Sequence, residues 1–131
     1  MVRVLLVDDS EALLSSLSSF LDGEPELEVV GTATGGQEGL LMAGALAPDV
    51  IVLDLAMPDL PGLDAIPIIR TSLPDVAITI LTVHDPEPYR ELALKWGADE
   101  FVSKTALGTD LVPAIRRTAR DRRALRKARG M

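Results

Sequence analysis

The chain has 131 residues, of which 47% are hydrophobic and 25% are charged, and this composition fits one globular domain with its own core. It contains no cysteine, which excludes a disulfide framework and thiolate chemistry. Residues 1–115 carry 19 Asp and Glu against 5 Lys and Arg, whereas residues 116–131 carry 8 basic residues and one acidic residue. The acidic body argues against nucleic-acid binding by residues 1–115. The apolar runs are too short for a signal peptide or a membrane span, so we expect a cytoplasmic protein that contacts no membrane.

Five short segments are rich in apolar and β-branched residues and are followed by polar or chain-breaking residues, which predicts strands. The third is apolar without interruption up to the carboxylate of Asp54, a pattern typical of a parallel strand buried on both faces. The second is expected near an edge of the sheet, because Gly31 weakens it. The predicted strands are Val2–Val7, Glu28–Ala33, Val50–Asp54, Val76–Thr82 and Glu100–Ser103.

Between these strands, apolar residues recur at helical spacing, and Pro or Gly residues mark where each helix ends. Phe20 in the first helix and Leu41 in the second are placed on the apolar faces. Strict alternation of strands and helices predicts a three-layer α/β sandwich, with a parallel sheet covered by helices on both faces. The predicted helices cover residues 11–22, a segment opened by Gly35-Gly36 that runs through Leu46 and is stopped by Pro48, residues 63–73, a segment from Pro86-Glu87-Pro88 to Gly97, and about Thr109 to Arg126 or beyond.

Polar side chains stand at the ends of four of the five predicted strands. Asp8 and Asp9 follow the first strand, and Asp54 ends the third. Thr82 ends the fourth strand, and Lys104 follows the fifth. Ligands of open α/β sheets bind beyond the carboxyl ends of the strands. If these four strands are neighbours, the five side chains converge on one pocket.

The chemistry of these side chains suits a phosphoryl group. Three carboxylates in one pocket repel one another unless a cation compensates, and Mg²⁺ is suited to do so because it binds carboxylate, water and phosphate oxygens. Lys104 adds a positive charge that can pair with a carboxylate or a phosphate, and Thr82 adds a hydroxyl donor. In such a site the metal and the ammonium neutralise charge while one carboxylate attacks phosphorus.

Each residue also has a purely structural interpretation. Asp8 and Asp9 could cap the following helix, Lys104 could be a surface lysine, and Thr82 could simply favour a strand. Their joint placement favours a functional interpretation. The single histidine, His84, is interpreted as a loop residue without a catalytic or metal-binding role.

Four stretches of the sequence carry a resemblance to a known family. They are Asp8-Asp9, Leu53-Asp54-Leu55-Ala56-Met57-Pro58-Asp59-Leu60-Pro61-Gly62, Leu81-Thr82, and Gly97-Ala98-Asp99-Glu100-Phe101-Val102-Ser103-Lys104. From Val2 to about Arg117 the chain resembles the receiver domain of two-component response regulators. The resemblance implies a flavodoxin-like fold with strand order 2-1-3-4-5 and five helices. It implies a receiver domain over residues 1–117 and, over residues 118–131, a basic helical extension or the start of a linker.

The resemblance also implies how the acidic pocket works. Asp54 is the phosphoacceptor, which takes a phosphoryl group from a phosphohistidine on a sensor histidine kinase. Asp9, Asp54 and the backbone carbonyl of Ala56 bind Mg²⁺ directly, and Asp8 assists through water.

The remaining roles implied by the resemblance concern the response to phosphorylation. Lys104 pairs with the phosphoryl group, Thr82 moves to hydrogen-bond it, and Phe101 follows inward as the switch aromatic, although Phe101 could also be plain core. The module phosphorylates and dephosphorylates itself, does not turn over a substrate, and controls an output such as transcription. A homodimer on phosphorylation is one option, and DNA is contacted only through an output domain outside this chain.

The sequence departs from the family pattern at two positions. In many receivers the residue after this lysine is a proline joined through a cis bond. Here Thr105 follows Lys104, and this resembles the subfamily whose output domain is a helix-turn-helix. The isomer of the Lys104–Thr105 bond is left open, since a non-proline cis bond costs about 3 kcal/mol. Val83 follows Thr82 where a small residue is common, and it is expected to narrow access to Asp54.

The same residues bear on three other possible functions, namely a phosphatase, a scaffold that never binds phosphate, and nucleic-acid binding by the basic tail. A haloacid-dehalogenase-type Mg²⁺-dependent phosphatase needs its nucleophile after the first strand and a second Asp two residues later, but Ala56 occupies that second position. A receiver-like scaffold that never binds phosphate would not need the complete acidic pocket. The basic residues of 116–131 could contact nucleic acid, but a solvated helical extension or a linker helix is the favoured interpretation.

Overall fold

A computed structural model describes residues 1–83 and 89–130 of the chain. Within these residues, five strands form one parallel sheet in the order β2-β1-β3-β4-β5, which confirms the predicted order. β2 lies at an edge, as Gly31 suggested. In chain order the elements are β1 (Val2–Val7), α1 (Glu11–Asp22), β2 (Leu27–Ala33), α2 (Gly36–Leu46), β3 (Val50–Asp54), α3 (Gly62–Ser72), β4 (Ala77–Thr82), α4 (Arg90–Trp96), β5 (Glu100–Ser103) and α5 (Leu107–Gly130).

The sheet separates two hydrophobic cores, which explains the unbroken apolar strands. Successive side chains of a strand point to opposite faces, so Val4 and Val52 join one core while Leu5 and Ile51 join the other. The first core is closed by the buried faces of α1 and α5, and the second by residues of α2, α3 and α4. The central strands β3 and β4 are buried at every position, as expected for a sheet covered on both sides.

Two large side chains predicted on apolar helix faces lie outside the core. Phe20 is 41% exposed, because Leu14, Leu17 and Leu21 form the buried face of α1. Leu41 is 77% exposed, and the buried residues of α2 are instead Gly36, Gly39 and Ala43. A Cβ at Gly39 would lie 2.9 Å from Val7 Cγ1, so α2 packs on β1 through its small residues and Leu41 faces outward.

Most observed helix boundaries lie at the predicted residue or within two residues of it. α5 begins at Leu107, two residues before the predicted Thr109, and the Ala106 carbonyl accepts from Asp110 N at 2.9 Å. α4 ends at Gly97 as predicted, and Gly97 has φ 125, a conformation that favours glycine. The predicted start of this helix at Pro86-Glu87-Pro88, and His84, lie outside the described residues.

Helix α5 passes the predicted boundary at residue 117 without a break and stays in contact with the sheet beyond it. Thr118 and Ala119 are buried. Arg122 Nη2 lies 2.7 Å from Asp99 Oδ1, and Arg129 pairs with Asp75. The start of the basic segment is therefore packed on the domain rather than fully solvated, while the division at 117 stays a prediction. In the ranges that the structure describes, no helix has both the length and the apolar character needed to cross a membrane.

Candidate functional site

The strand register brings the predicted site residues to one edge of the sheet. Val7 pairs with Leu53, so Asp8 follows β1 at the level where Asp54 ends β3. On the other side, β4 and β5 are aligned so that Thr82 pairs with Ser103, the residue before Lys104. Lys104 N also donates to Thr82 O at 2.8 Å, which fixes the chain as it leaves β5. The predicted convergence is therefore observed.

Three carboxylates form the centre of this site. Oxygens of Asp8, Asp9 and Asp54 lie within 4.8 Å of one another. Asp8 is 1% exposed and Asp54 is 4% exposed, whereas Asp9 is exposed. Backbone groups hold two of them, because Ser10 N donates to Asp8 Oδ1 at 2.9 Å and Ala56 N donates to Asp54 Oδ1 at 3.3 Å.

Lys104 brings a positive charge to the two buried carboxylates. Its Nζ lies 2.7 Å from Asp8 Oδ2 and 3.4 Å from Asp54 Oδ1. Both contacts are ion pairs, and the contact with Asp8 is the shorter. One ammonium thus compensates part of the charge of three carboxylates.

The protonation equilibria of Asp54 and Lys104 reflect this crowding. Burial raises the pKa of the Asp54 carboxyl above its ordinary value and the charge of Asp8 raises it further, whereas Lys104 and the Ala56 N–H act in the opposite direction. Burial by itself would lower the pKa of Lys104, but its contacts with Asp8 and Asp54 outweigh burial and raise it. The Lys104 side chain therefore stays positively charged, whereas the site disfavours the negative charge of the ionised Asp54 carboxylate.

The donor set fits Mg²⁺. Carboxylate oxygens are hard ligands, and Mg²⁺ commonly takes one or two of them together with waters and a phosphate oxygen. The close group of Asp8, Asp9 and Asp54 oxygens supplies such ligands with excess negative charge. Ala56, whose carbonyl the resemblance adds to this set, is exposed beside them.

A cavity of about 670 Å³ opens beside Asp54. Ala56, Thr82, Val83 and Tyr89 are among its lining residues. Asp54 therefore faces an open space at the edge of the sheet. Val83 lies in its wall, but the expected narrowing of access to Asp54 stays a prediction.

Thr82 and Phe101 occupy positions consistent with a coupled pair. Thr82 is 6% exposed, one strand away from Asp54. Phe101 is half-buried on β5, and the Arg90 guanidinium lies 5.1 Å from the centre of its ring. Sequence reasoning missed Arg90, because the contact depends on how α4 packs over β5 and no local pattern signals it.

Asp59 is a second residue that sequence reasoning left without a role. Its carboxylate accepts from Gly36 N and Gln37 N at the start of α2, each at 3.0 Å. An acidic residue in a proline-rich loop gives no sign that it reaches a helix more than twenty positions earlier in the chain.

The sequence matches a protein family that has this fold and this group of acidic residues at the edge of the sheet. Residues 4–116 match the response regulator receiver domain family, and the chain belongs to it.

Individual relatives place the chain within that family. The response regulator protein VraR of Staphylococcus aureus is 38% identical over 121 residues, which cover 91% of this chain and 57% of VraR. The chain thus spans little more than half the length of this relative.

Two solved structures show the same architecture. The response regulator domain of Thermotoga maritima CheB has a TM-score of 0.85 at 30% identity, covering 92% of this chain and 97% of that one. The receiver domain of the response regulator NarL from Mycobacterium tuberculosis has a TM-score of 0.84 at 30% identity, covering 91% and 96%.

Proposed function

We propose that this receiver domain is a phosphorylation switch in which Asp54 accepts a phosphoryl group from the phosphohistidine of a sensor histidine kinase. The observation that carries the proposal is the placement of Asp54. It ends β3 at the cavity wall, within reach of Lys104 and of the carboxylates of Asp8 and Asp9. Membership of the receiver family supports the same role.

The transfer step conserves atoms and charge. A carboxylate oxygen of Asp54 attacks phosphorus, the P–N bond of the phosphohistidine breaks, and the electron pair of that bond returns to the ring nitrogen. The other ring nitrogen carries a proton, so the products are an acyl phosphate on Asp54 and an uncharged histidine on the kinase. Water later hydrolyses the acyl phosphate to the Asp54 carboxylate and free inorganic phosphate, so the domain resets itself and does not turn over a substrate.

The residues around Asp54 have two roles, which are to bind Mg²⁺ and to pair with the phosphoryl group. Asp9, Asp54 and the Ala56 carbonyl would hold Mg²⁺ directly, and Asp8 would hold it through water. When bound, Mg²⁺ neutralises the charge of the phosphoryl oxygens. Lys104 pairs with the phosphoryl group, for which it must exchange part of its contact with Asp8 and Asp54.

The output follows from Thr82 and Phe101. A phosphoryl group on Asp54 adds up to two negative charges and new acceptor oxygens, which attract the Thr82 hydroxyl. Movement of Thr82 gives the Phe101 ring space to turn inward and leave the Arg90 guanidinium. The face made by α4, β5 and α5 then changes, and this face controls an output, which is transcription in the helix-turn-helix output subfamily that Lys104-Thr105 resembles.

The remaining parts of the proposal concern partners and place. Homodimerisation follows phosphorylation. DNA is contacted through an output domain beyond this chain, and residues 118–131 extend α5 toward it as a basic helix or linker. The protein works in the cytoplasm, where it meets the kinase domain and no membrane.

A haloacid-dehalogenase-type phosphatase has no support. Its acid–base residue would have to stand two positions after the nucleophile, and Ala56 has no proton to give. The family match of residues 4–116 also points away from it.

Intact-mass measurement tests the proposal. Acetyl phosphate and Mg²⁺ should add one phosphoryl group to the wild-type protein and none to Asp54→Asn. Asp64→Asn, which changes an exposed carboxylate on α3, is the matched control and should be modified like wild type. Equal mass gain in wild type and Asp54→Asn would refute the assignment of the phosphoacceptor.

A further inference from the structure

The loop that follows the phosphoacceptor has few hydrogen bonds of its own. This β3–α3 loop, residues 55–61, contains Pro58 and Pro61, which have no N–H to donate. Its base is closed where Gly62 N donates to Leu55 O at 2.9 Å. Its first residues include Ala56, whose carbonyl belongs to the proposed metal site. The buried side chain of Met57 holds the loop against the second core, and a polar contact to another element is what fixes its backbone in addition.

Asp59 supplies that fixation from the middle of the loop. Its Oδ1 accepts from Gly36 N and its Oδ2 accepts from Gln37 N, both at 3.0 Å. These N–H groups belong to the first turn of α2, which has no intrahelical partners for them. The N-cap residue, Gly35, has no side chain that could accept them. Among the hydrogen bonds of the described residues, these two join residues 57–60 to another element.

The electrostatics of this contact agree with its geometry. Negative charge is favourable at the N-terminus of a helix, where the backbone dipoles leave partial positive charge. The hydrogen bonds from Gln37 N and Gly36 N hold the pKa of the Asp59 carboxyl below its ordinary value. Asp59 is therefore ionised whenever Asp54 is able to act.

Glycines on both sides let the loop lie close to its neighbours. A Cβ at Gly36 would lie 2.5 Å from Leu60 O, and a Cβ at Gly35 would lie 2.9 Å from the Asp59 carboxylate oxygens. At the end of the loop, a Cβ at Gly62 would lie 2.2 Å from Asp54 O. The loop thus lies in close contact with α2 near Asp59 and Leu60 and with the end of β3 at Gly62.

We infer that Asp59 is a positioning residue for the phosphoacceptor site: by binding the N-terminus of α2 it holds the β3–α3 loop so that the Ala56 carbonyl is presented beside Asp54. This inference rests on the proposed function, because it assumes that the site binds Mg²⁺. Asp59 touches neither the metal nor the phosphoryl group, and it acts through the backbone of the loop.

Calorimetric titration of Mg²⁺ into the full chain, without any phosphodonor, tests the inference. Asp59→Ala should raise the Mg²⁺ dissociation constant about tenfold, the low end of the range for residues that orient metal ligands. Asp59→Asn keeps one acceptor oxygen and should give a smaller increase. If Asp59→Ala does not fold, Asp59→Asn carries the test by itself.

Glu38→Ala is the matched control. Glu38 Oε1 accepts from Thr34 N at 2.9 Å, so it bonds the backbone N–H just before the N-cap of α2 and also carries a negative charge, but it does not bond the loop. Both alanine variants should lower the melting temperature by removing a helix-end hydrogen bond. Only Asp59→Ala should weaken Mg²⁺ binding and speed amide exchange in residues 55–61.

The titrations distinguish failure of the Asp59 inference from failure of the proposed Mg²⁺ site. Wild-type Mg²⁺ affinity in Asp59→Ala, or an equal loss of affinity in Glu38→Ala, would overturn this inference and leave the proposed function intact. A wild-type protein that takes up no Mg²⁺ would overturn the metal site itself and this inference with it.

Discussion

Replacement of Lys104 by methionine probes the balance of charge in the site. Methionine keeps most of the length of the side chain but removes the ammonium that lies 2.7 Å from Asp8 Oδ2 and 3.4 Å from Asp54 Oδ1. Because Asp8 and Asp54 are buried, their charges lose a compensating partner that water cannot fully replace. We expect the variant to be less stable than wild type at neutral pH in the absence of divalent cations.

The two distances set the scale of the effect. With an effective dielectric constant of about 20, unit charges at these separations attract by about 6 and about 5 kcal/mol. Desolvation of the ammonium and the carboxylates offsets much of this attraction, and the Lys104 side chain is still 18% exposed. The expected loss is therefore about 3 kcal/mol, the low end for removal of one partner from a buried pair. For a domain of this size it corresponds to a fall of about 10 °C in melting temperature.

Urea and thermal unfolding in EDTA measure this loss. Lys95→Met is the matched control, because Lys95 is exposed on α4 and no ion pair is recorded for it among the described residues. Its stability should stay within about 0.5 kcal/mol of wild type. Excess Mg²⁺ should restore part of the loss in Lys104→Met, because a divalent cation neutralises the same carboxylates.

The pH dependence gives a further check on the reasoning. The difference between wild type and Lys104→Met should shrink as the pH falls, since Asp54, whose pKa is raised by burial, becomes protonated and no longer needs a cation. Equal stability of Lys104→Met and Lys95→Met in EDTA would refute the view that Lys104 compensates buried charge. A difference that stayed constant down to acid pH would refute it as well.

Four further predictions follow from the site and the tail. Asp9→Ala should weaken Mg²⁺ binding in calorimetry, and an unchanged affinity would place the metal elsewhere. Asp54→Asn should be more stable than wild type at neutral pH in EDTA, because the raised pKa of Asp54 means that the folded state favours the protonated carboxyl. This gain in stability should vanish at acid pH, where Asp54 of the wild type is protonated. Thr82→Ala should still be phosphorylated, but with beryllofluoride its amide NMR shifts at Phe101 should stay near those of the free protein; wild-type shifts there would contradict the coupling. Fluorescence anisotropy should show no tight binding of duplex DNA by this chain at physiological ionic strength, and a salt-sensitive complex lost on removal of residues 118–131 would contradict this.

The sequence by itself determined the elements and the edge of the sheet where the site forms. Unbroken apolar runs such as Val50–Leu53 identify buried parallel strands, because such strands need apolar side chains on both faces. Polar residues at the strand ends then mark one edge, since parallel strands deliver their carboxyl ends together. Asp54, Thr82 and Lys104 could be placed in this way because each position depends on a local pattern and on one topological rule.

Only the tertiary structure decided how these side chains and their supports are arranged. Asp8 and Asp9 are adjacent in sequence, yet the end of β1 buries the first against Lys104 and leaves the second exposed. Arg90 stacks over Phe101, and Asp59 binds the first turn of α2. These contacts join residues that lie far apart in the chain, and they depend on the packing of whole helices against the sheet. The spacing of apolar residues within one segment does not predict how helices pack against the sheet. The arrangement of the site therefore follows from the whole fold and not from any one segment of the sequence.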